Sequence, residues 1–159
     1  MKTLWFIGLP FSGKTTLACS LKERMAFAHV VDDSLVQSHG LNFSPDNIND
    51  LKSIAFTCHQ LNDNGVFVVN SLFMPIDGYP EVEKILGPDL ITVYLDSPKT
   101  ILSRRMWNKG SKEKSELYMR HAGSWKKPKS VNLHVDTSDS VENCTRDISS
   151  FLSSMNNFA

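Results

Sequence analysis

The sequence is poor in cysteine, and the cysteines it has form no recognisable pattern. Its 159 residues include Cys19, Cys58 and Cys144, which are widely spaced and form no Cys-x-x-Cys pair. An odd number of scattered cysteines predicts reduced structural thiols rather than a disulfide framework. The five histidines also lack metal-ligand spacing. We therefore expect a cytoplasmic protein without structural zinc.

Net charge and long apolar runs are missing as well. The 17 basic and 17 acidic side chains cancel, so no overall positive charge favours nucleic acid or an anionic membrane surface as a partner. No apolar run approaches the roughly 18 residues that a membrane-spanning helix needs. The N-terminal stretch MKTLWFIGLPF shows no small-residue cleavage site, so we interpret it as a first strand rather than a signal peptide. A local basic patch stays open.

Strand-like and helix-like segments alternate along the chain. Apolar, β-rich runs predict strands within residues 3–9, 28–34, 66–73, 90–96 and 130–138. Between and after them, helical spacing predicts helices over 14–27, 44–65, 80–87, 97–107 and 138–155, with Pro45 among the first positions of the second. Residues 106–130 are polar and basic, which is typical of a mobile lid. The alternation predicts one domain over 1–159, an α/β fold of three layers with a five-stranded parallel sheet and helices on both faces.

The segment Gly8–Thr15 reads GLPFSGKT and matches the phosphate-binding P-loop pattern G-x-x-x-x-G-K-[ST]. Glycines let the backbone curl so that N–H groups face phosphate oxygens, and the following helix adds its positive end. Lys14 is expected to reach the β- and γ-phosphates of ATP, and Thr15 to bind Mg²⁺. The nucleotide-binding positions predicted by the motif are Gly8, Pro10, Phe11, Ser12, Gly13, Lys14, Thr15 and Thr16.

The P-loop alone leaves a kinase, a GTPase and an ATPase open. A GTPase would carry Asn-Lys-x-Asp for guanine, but the pair Asn108-Lys109 continues into Gly-Ser within the polar segment. A compact chain with a basic segment after its fourth strand instead favours a small-molecule kinase whose lid folds over the transferring phosphoryl group.

Several stretches together resemble one family of P-loop kinases. GLPFSGKTTLA, VVDDS, GLNFSPD, IAFTCHQLNDNGVFVV and VYLDSPKTILSRR are similar in order and spacing to adenylylsulfate (APS) kinases. Those enzymes use ATP to phosphorylate the 3′-hydroxyl of adenosine 5′-phosphosulfate. The resemblance covers about residues 1–107 and, more weakly, the stretch from LHVDTS onward. It implies a P-loop kinase fold with a lid, and ATP with Mg²⁺ as the phosphoryl donor.

The resemblance also implies roles for individual residues. Asp33 aligns with the second aspartate of the family's Asp-Gly-Asp motif, beside Mg²⁺ and the acceptor hydroxyl, and Asp32 replaces the glycine. Arg104 and Arg105 match an arginine pair at the base of the lid. The implied catalytic residues are thus Lys14, Asp33, Arg104 and Arg105. The implied metal ligands are Thr15 and Asp33. The implied acceptor-binding residues are Asp32, Asp33, Phe43, Asn47 and Asp50. The alternative for the Asp-Asp pair is a solvated turn or a helix N-cap, and for the two arginines a solvated helix face.

The acceptor half of the sequence departs from the family. Where the family has two arginines, this chain reads SLVQS and DNINDL, and a hydrogen bond to a charged group contributes roughly 1.5–3 kcal/mol. The acceptor is therefore APS or a related hydroxyl compound, such as another nucleotide or an activated sugar. Two alternatives stay open: a polynucleotide or modified-base kinase, if Lys126, Lys127 and Lys129 form one groove, and a catalytically silent nucleotide-binding module. A homodimer also stays open.

Overall fold

The computed structural model describes residues 1–155 and contains a five-stranded sheet in which all strands run parallel. The strand order across the sheet is β2-β3-β1-β4-β5, so β1 lies at the centre. The strands are β1 Thr3–Ile7, β2 Ala28–Val31, β3 Phe67–Asn70, β4 Leu90–Asp96 and β5 Leu133–Asp136. The predicted parallel sheet is confirmed. The predicted domain runs to residue 159, and positions 156–159 lie outside the described residues.

Helices cover both faces of the sheet, as the sequence predicted. They are α1 Lys14–Arg24, α2 Asp33–Ser38, α3 Ile48–Asp63, α4 Tyr79–Leu86, α5 Lys99–Lys109, α6 Lys112–Ala122 and α7 Val141–Ser154. Because side chains alternate along a strand, Leu4 and Phe6 of β1 enter a core with α1 and α7, whereas Trp5 and Ile7 enter a second core with α3 and α4. The sheet is therefore the middle of three layers.

Two helix boundaries differ from the prediction. α3 begins at Ile48, so Pro45 lies before the helix rather than in its first turn. Asn47 is the N-cap and accepts a hydrogen bond from the Asn49 backbone N–H at 3.0 Å. The short helix α2, which the sequence did not predict, starts where Asp32 accepts a hydrogen bond from the Leu35 N–H at 2.8 Å. In both places a side-chain oxygen satisfies an amide that the helix itself leaves unpaired.

Residues 106–130, which composition marked as a mobile lid, are largely helical. α5 continues to Lys109, and α6 follows after Ser111, whose hydroxyl accepts a hydrogen bond from the Lys114 N–H at 3.2 Å. Tyr118 is the buried residue of α6 and packs with Leu9, Phe11 and Leu102 in a third apolar cluster. This buried ring anchors α6 to the P-loop side of the molecule, although Met119 of the same helix is exposed. Within residues 1–155, no helix is long and apolar enough to cross a membrane.

The carboxyl ends of the parallel strands all lie at one edge of the sheet. In an open α/β sheet this edge is where ligands bind, beside the point at which the strand order reverses. Here β1 and β4 are neighbours, and the connection after β1 leads to β2 on one side of the sheet while the connection after β4 leads to β5 on the other, so the loop after β1 sits at such a point. The fold places the glycine-rich segment at this position.

Candidate functional site

The loop between β1 and α1 has a tightly curled backbone, which its sequence explains in part. Phe11 and Gly13 both adopt positive φ angles, of 72° and 100°, which curl a chain into a cradle for anions. Gly13 tolerates this conformation, whereas Phe11 is strained in it. Gly8 is constrained by space instead. A Cβ atom at Gly8 would lie 2.6 Å from the Ser12 Oγ and 3.0 Å from the Leu95 carbonyl oxygen. A side chain at position 8 would therefore force the loop away from the sheet.

Two polar groups inside this loop are suited to a bound anion. The Ser12 Oγ is buried and makes no hydrogen bond to any other described residue. The Lys14 ammonium is also buried and donates to the carbonyl oxygens of Gly8 and Leu9, both at 2.9 Å. A buried hydroxyl without a partner costs free energy unless a ligand or water satisfies it. The loop thus fits a phosphate group by its donors as well as by its shape.

Burial changes the acidity of the loop lysine. Loss of solvent around the Lys14 ammonium, together with the positive charge of Lys114, lowers its pKa to about 7, and the nearby Asp33 carboxylate only partly opposes this. An ammonium removed from water is costly, and an approaching anion compensates that cost. Lys14 is therefore close to half protonated at neutral pH and is poised to gain a proton when an anion binds.

A cavity of about 350 Å³ opens in front of the loop. Its floor is the segment 10–17, which includes Thr15 and Thr16, and its walls come from six other parts of the chain, α7 among them. These walls contribute Asp33 after β2, Phe73 after β3, Arg105 of α5, Lys114 of α6, and Thr137 and Asp139 after β5. Gly8 is buried and does not line this cavity. The cavity therefore brings the predicted nucleotide-binding segment together with Asp33 and Arg105.

A second cavity of about 270 Å³ adjoins the first, and Asp33 lines both. Its other walls come from α2 and from the segment that follows, including Val36 and Phe43, and from Asp50 of α3. Desolvation raises the pKa of Asp33 above its ordinary value, although the charges of Lys14 and Lys114 act in the opposite direction. A carboxylate at the junction of two cavities can contact a group in each. We call the two spaces the donor cavity and the acceptor cavity.

The remaining acceptor-side predictions fall into two groups. Phe43 and Asp50 line the acceptor cavity, and the Asp50 Oδ2 accepts a hydrogen bond from the Ser44 N–H at 2.9 Å. Asp32 and Asn47 line neither of these two cavities, and each serves as a helix N-cap. Asp32 is therefore a helix cap, which was the alternative role for the Asp32-Asp33 pair, whereas Asp33 lines both cavities.

The adjacent arginines of α5 point in different directions. Arg105 donates to the Phe11 carbonyl oxygen at 3.0 Å and to the Thr137 carbonyl oxygen at 2.9 Å, so it ties the loop to the end of β5. Arg104 is exposed and lines neither cavity. Consecutive residues of a helix lie about 100° apart around its axis, which is why one member of the pair reaches the site while the other faces solvent.

Sequence reasoning missed two cations of the donor cavity, Lys109 of α5 and Lys114 of α6. Lys114 of α6 lines the cavity, and its ammonium lies 4.9 Å from the centre of the Phe11 ring. The spacing of Lys114, Leu117, Tyr118 and His121 places these residues on one face of a helix, and this was the available signal. It was hidden because the segment is polar overall. Phe73, Thr137 and Asp139 lie after strands and carry no motif.

The side chains at the site suit a cation that is bound mainly by waters and phosphate oxygens rather than by protein side chains. Among residues 1–155, no group of three or more histidines, cysteines, aspartates or glutamates could hold a metal ion. Thr15 and Asp33 nevertheless line the same cavity as the P-loop. Mg²⁺ typically takes one or two protein oxygens and completes its shell with waters and substrate phosphates. This donor set therefore fits Mg²⁺ that arrives with a phosphate ligand.

Known proteins resemble the chain in sequence and in fold. A family model described as adenylylsulphate kinase matches residues 1–136. An adenylyl-sulfate kinase of Clostridium kluyveri is 28% identical over an alignment 165 positions long, which covers 94% of this chain and 82% of that protein.

Two solved structures share its P-loop kinase fold. The Mycobacterium tuberculosis APS kinase CysC, in complex with AMPPNP and APS, superposes with a TM-score of 0.76 at 23% identity, covering 96% of this chain and 98% of that one. A sugar kinase from Janibacter sp. HTCC2649 superposes with a TM-score of 0.73 at 15% identity, covering 100% and 98%. At these identities the two structures establish the fold, which agrees with the prediction.

The close approach at Gly8 gives a testable prediction. We expect Gly8→Ala to lower the free energy of unfolding by about 1–3 kcal/mol, because the new methyl group would press on the Leu95 carbonyl and on the Ser12 side chain. Urea unfolding of the purified protein measures this change. Gly123→Ala is the matched control, since its φ angle is −71° and no described atom lies within 4 Å of the added Cβ. Equal stability of the two variants would contradict the prediction.

Proposed function

The chain belongs to the adenylylsulphate kinase family, and we propose that it transfers the γ-phosphoryl group of ATP to a hydroxyl of a small nucleotide-like acceptor, APS or a relative of it. The observation that carries this proposal is the meeting of two cavities at Asp33, one of them lined by the P-loop. Phosphoryl transfer needs the donor phosphate and the acceptor hydroxyl held in line, and in kinases a carboxylate beside them orients the hydroxyl.

The donor cavity supports ATP as the phosphoryl donor. The phosphates would accept hydrogen bonds from the loop amides and the Ser12 hydroxyl, and the Lys14 ammonium would turn from the Gly8 and Leu9 carbonyls toward them. Thr15 and Asp33 would hold Mg²⁺, which neutralises phosphate charge when it is bound. Arg105, fixed by two backbone carbonyls, adds a positive charge to the same wall. Arg104 faces solvent and lines neither cavity, so nothing comparable supports a role for it at the phosphates.

The acceptor cavity supports a hydroxyl group as the nucleophile. Asp33 would accept a hydrogen bond from that hydroxyl and orient its oxygen toward the donor cavity. The transition state of phosphoryl transfer is loose, so such orientation matters more than early removal of the proton. Phe43 offers a flat apolar surface for a base or sugar ring within the same cavity.

The charge of the acceptor cavity favours a relative of APS over APS itself. Its described lining residues include the carboxylates of Asp33 and Asp50 and contain no lysine, arginine or histidine. A phosphosulfate placed against two carboxylates would be repelled and would lose hydration without compensation. An acceptor with fewer negative charges suits this lining better.

The alternative functions have weaker support. A polynucleotide kinase would need a basic groove leading to the site, and Lys126, Lys127 and Lys129 line neither cavity. The Lys127 ammonium instead lies 5.8 Å from the centre of the Tyr94 ring. A silent nucleotide-binding module would not need a carboxylate between two cavities. Turnover of ATP that depends on an added acceptor distinguishes a kinase from such a module.

Removal of the loop cation should abolish phosphoryl transfer. We expect Lys14→Ala to lower kcat at least about a thousandfold, because the variant lacks the ammonium that offsets charge on the β- and γ-phosphates. The measurement is acceptor-stimulated ADP release over a panel of sulfated, phosphorylated and neutral hydroxyl compounds. Lys22→Ala, an exposed change on the same helix, is the control and should keep full activity. Substantial turnover by Lys14→Ala would show that the P-loop is not the catalytic site.

The two carboxylates of the acceptor cavity should have separable effects. We expect Asp33→Asn to lower kcat with every acceptor, since this residue lies where both cavities meet. Asp50→Asn should lower the KM for APS, because it removes a negative charge but retains an oxygen for the Ser44 N–H. Steady-state kinetics with APS and a neutral acceptor measure both effects. A micromolar KM for APS in the unaltered protein would contradict the argument against APS.

Nucleotide binding should be coupled to proton uptake by Lys14. Its pKa is about 7 in the free protein, and bound phosphates favour the charged form and so raise the pKa. Near pH 8 we therefore expect an ATP analogue to bind with uptake of close to one proton, and well below pH 7 with little uptake. Calorimetry in buffers of different ionisation enthalpy measures the uptake. The Lys14→Arg variant, which is charged at either pH, should take up about one proton fewer near pH 8; equal uptake in both proteins would refute the assignment to Lys14.

A further inference from the structure

One carboxylate of the segment between α2 and α3 binds two side chains of the lid helix. The Asp46 Oδ2 accepts a hydrogen bond from Arg120 Nη2 at 2.8 Å, and its Oδ1 pairs with His121 Nε2, also at 2.8 Å. Arg120 and His121 lie in the last turn of α6, 74 and 75 residues further along the chain. Both oxygens of one side chain thus connect the acceptor side of the molecule to the lid.

The helix that Asp46 contacts forms part of the donor cavity. Lys114 and Leu117 of α6 line that cavity. One residue further, the Tyr118 ring packs edge-on against Phe11 of the P-loop, with ring centres 6.1 Å apart. Any movement of α6 away from the sheet would therefore withdraw Lys114 and open one wall of the donor cavity.

His121 also reaches the P-loop lysine through an aromatic ring. The centre of its imidazole lies 5.0 Å from the centre of the Phe73 ring. Phe73 lines the donor cavity, and the Lys14 ammonium lies 5.4 Å from the centre of the same ring. The end of α6 is thus held from two directions, by the Asp46 carboxylate and by an aromatic contact at the donor cavity.

The segment that carries Asp46 is itself part of the acceptor cavity. Leu41, Asn42, Phe43 and Ser44 line that cavity, and Asp46 follows two residues later. The Ser44 amide is fixed by the Asp50 carboxylate of α3. The carboxylate that binds the lid is consequently mounted on a segment anchored beside the acceptor.

We propose that Asp46 is a positioning residue that holds α6 closed over the donor cavity through Arg120 and His121. The inference rests on the proposed function, because a closed lid matters to the reaction only where a nucleotide is held. Release of a nucleotide then requires these contacts to break. Exposed ion pairs are individually weak, so the loss of both contacts should change lid opening by a factor of about five rather than unfold the protein.

The test compares three variants with the unaltered protein. Asp46→Ala removes both contacts, and Asp46→Glu keeps a carboxylate as the conservative replacement. Glu116→Ala is the matched control, because it removes an ion pair with Lys112 that stays within α6, at 3.9 Å. The readouts are hydrogen exchange of the α6 amides without ligand and the dissociation rate of AMPPNP with Mg²⁺, followed by tryptophan fluorescence.

We expect Asp46→Ala to speed both exchange in α6 and AMPPNP dissociation about fivefold, with exchange in α1 and α7 unchanged. Asp46→Glu should exchange and release AMPPNP at rates close to those of the unaltered protein, and Glu116→Ala should match the unaltered protein in both. Unchanged α6 exchange in Asp46→Ala would overturn the proposal, as would faster exchange with unchanged AMPPNP dissociation. If the unaltered protein fails to bind AMPPNP, the proposed function fails, whereas unchanged exchange alone refutes the role of Asp46.

Discussion

The burial of one ammonium group at the end of the central strand is the constraint on which the site depends. The Lys14 ammonium is buried and, without a bound anion, donates hydrogen bonds to the carbonyl oxygens of Gly8 and Leu9. That arrangement requires a loop close enough to the sheet to bury the side chain, and hence a residue without a Cβ at position 8. It also requires apolar layers on both sides of β1, because the loop takes its position from the strand that carries it.

The donor and acceptor cavities are built by different means. The donor cavity depends on backbone geometry after β1, including the positive φ angles of Phe11 and Gly13, and on Arg105, which binds two carbonyl oxygens. The acceptor cavity depends on side chains presented by α2, by the segment after it and by α3. Backbone geometry admits few changes of sequence, whereas side chains on a surface segment can be exchanged one at a time. This difference agrees with the sequence-based interpretation that the phosphate half follows the family pattern while the acceptor half departs from it.

The lid shows how a polar segment can be ordered by a few contacts. Its second helix buries Tyr118 against Phe11 and anchors its last turn on Asp46. Both partners lie far away in the chain, at the P-loop and before α3. The same helix supplies Lys114, whose charge contributes to the lowered pKa of Lys14. The position of α6 and the pKa of Lys14 are therefore linked through the electrostatic repulsion between Lys114 and Lys14.

The sequence by itself determined the layered fold and the place of the phosphate site. Strand and helix periodicities are local properties, and the P-loop pattern encodes a local backbone shape, so Gly8–Thr15 could be located without coordinates. Asp33 came from the family resemblance. Only the tertiary structure separated Arg105 from Arg104, assigned Asp32 and Asn47 to helix caps, and brought Lys114 to the donor cavity and Asp46 to the end of α6. Those outcomes depend on how each helix is rotated and packed against distant residues, and no pattern within a short stretch of sequence records that rotation.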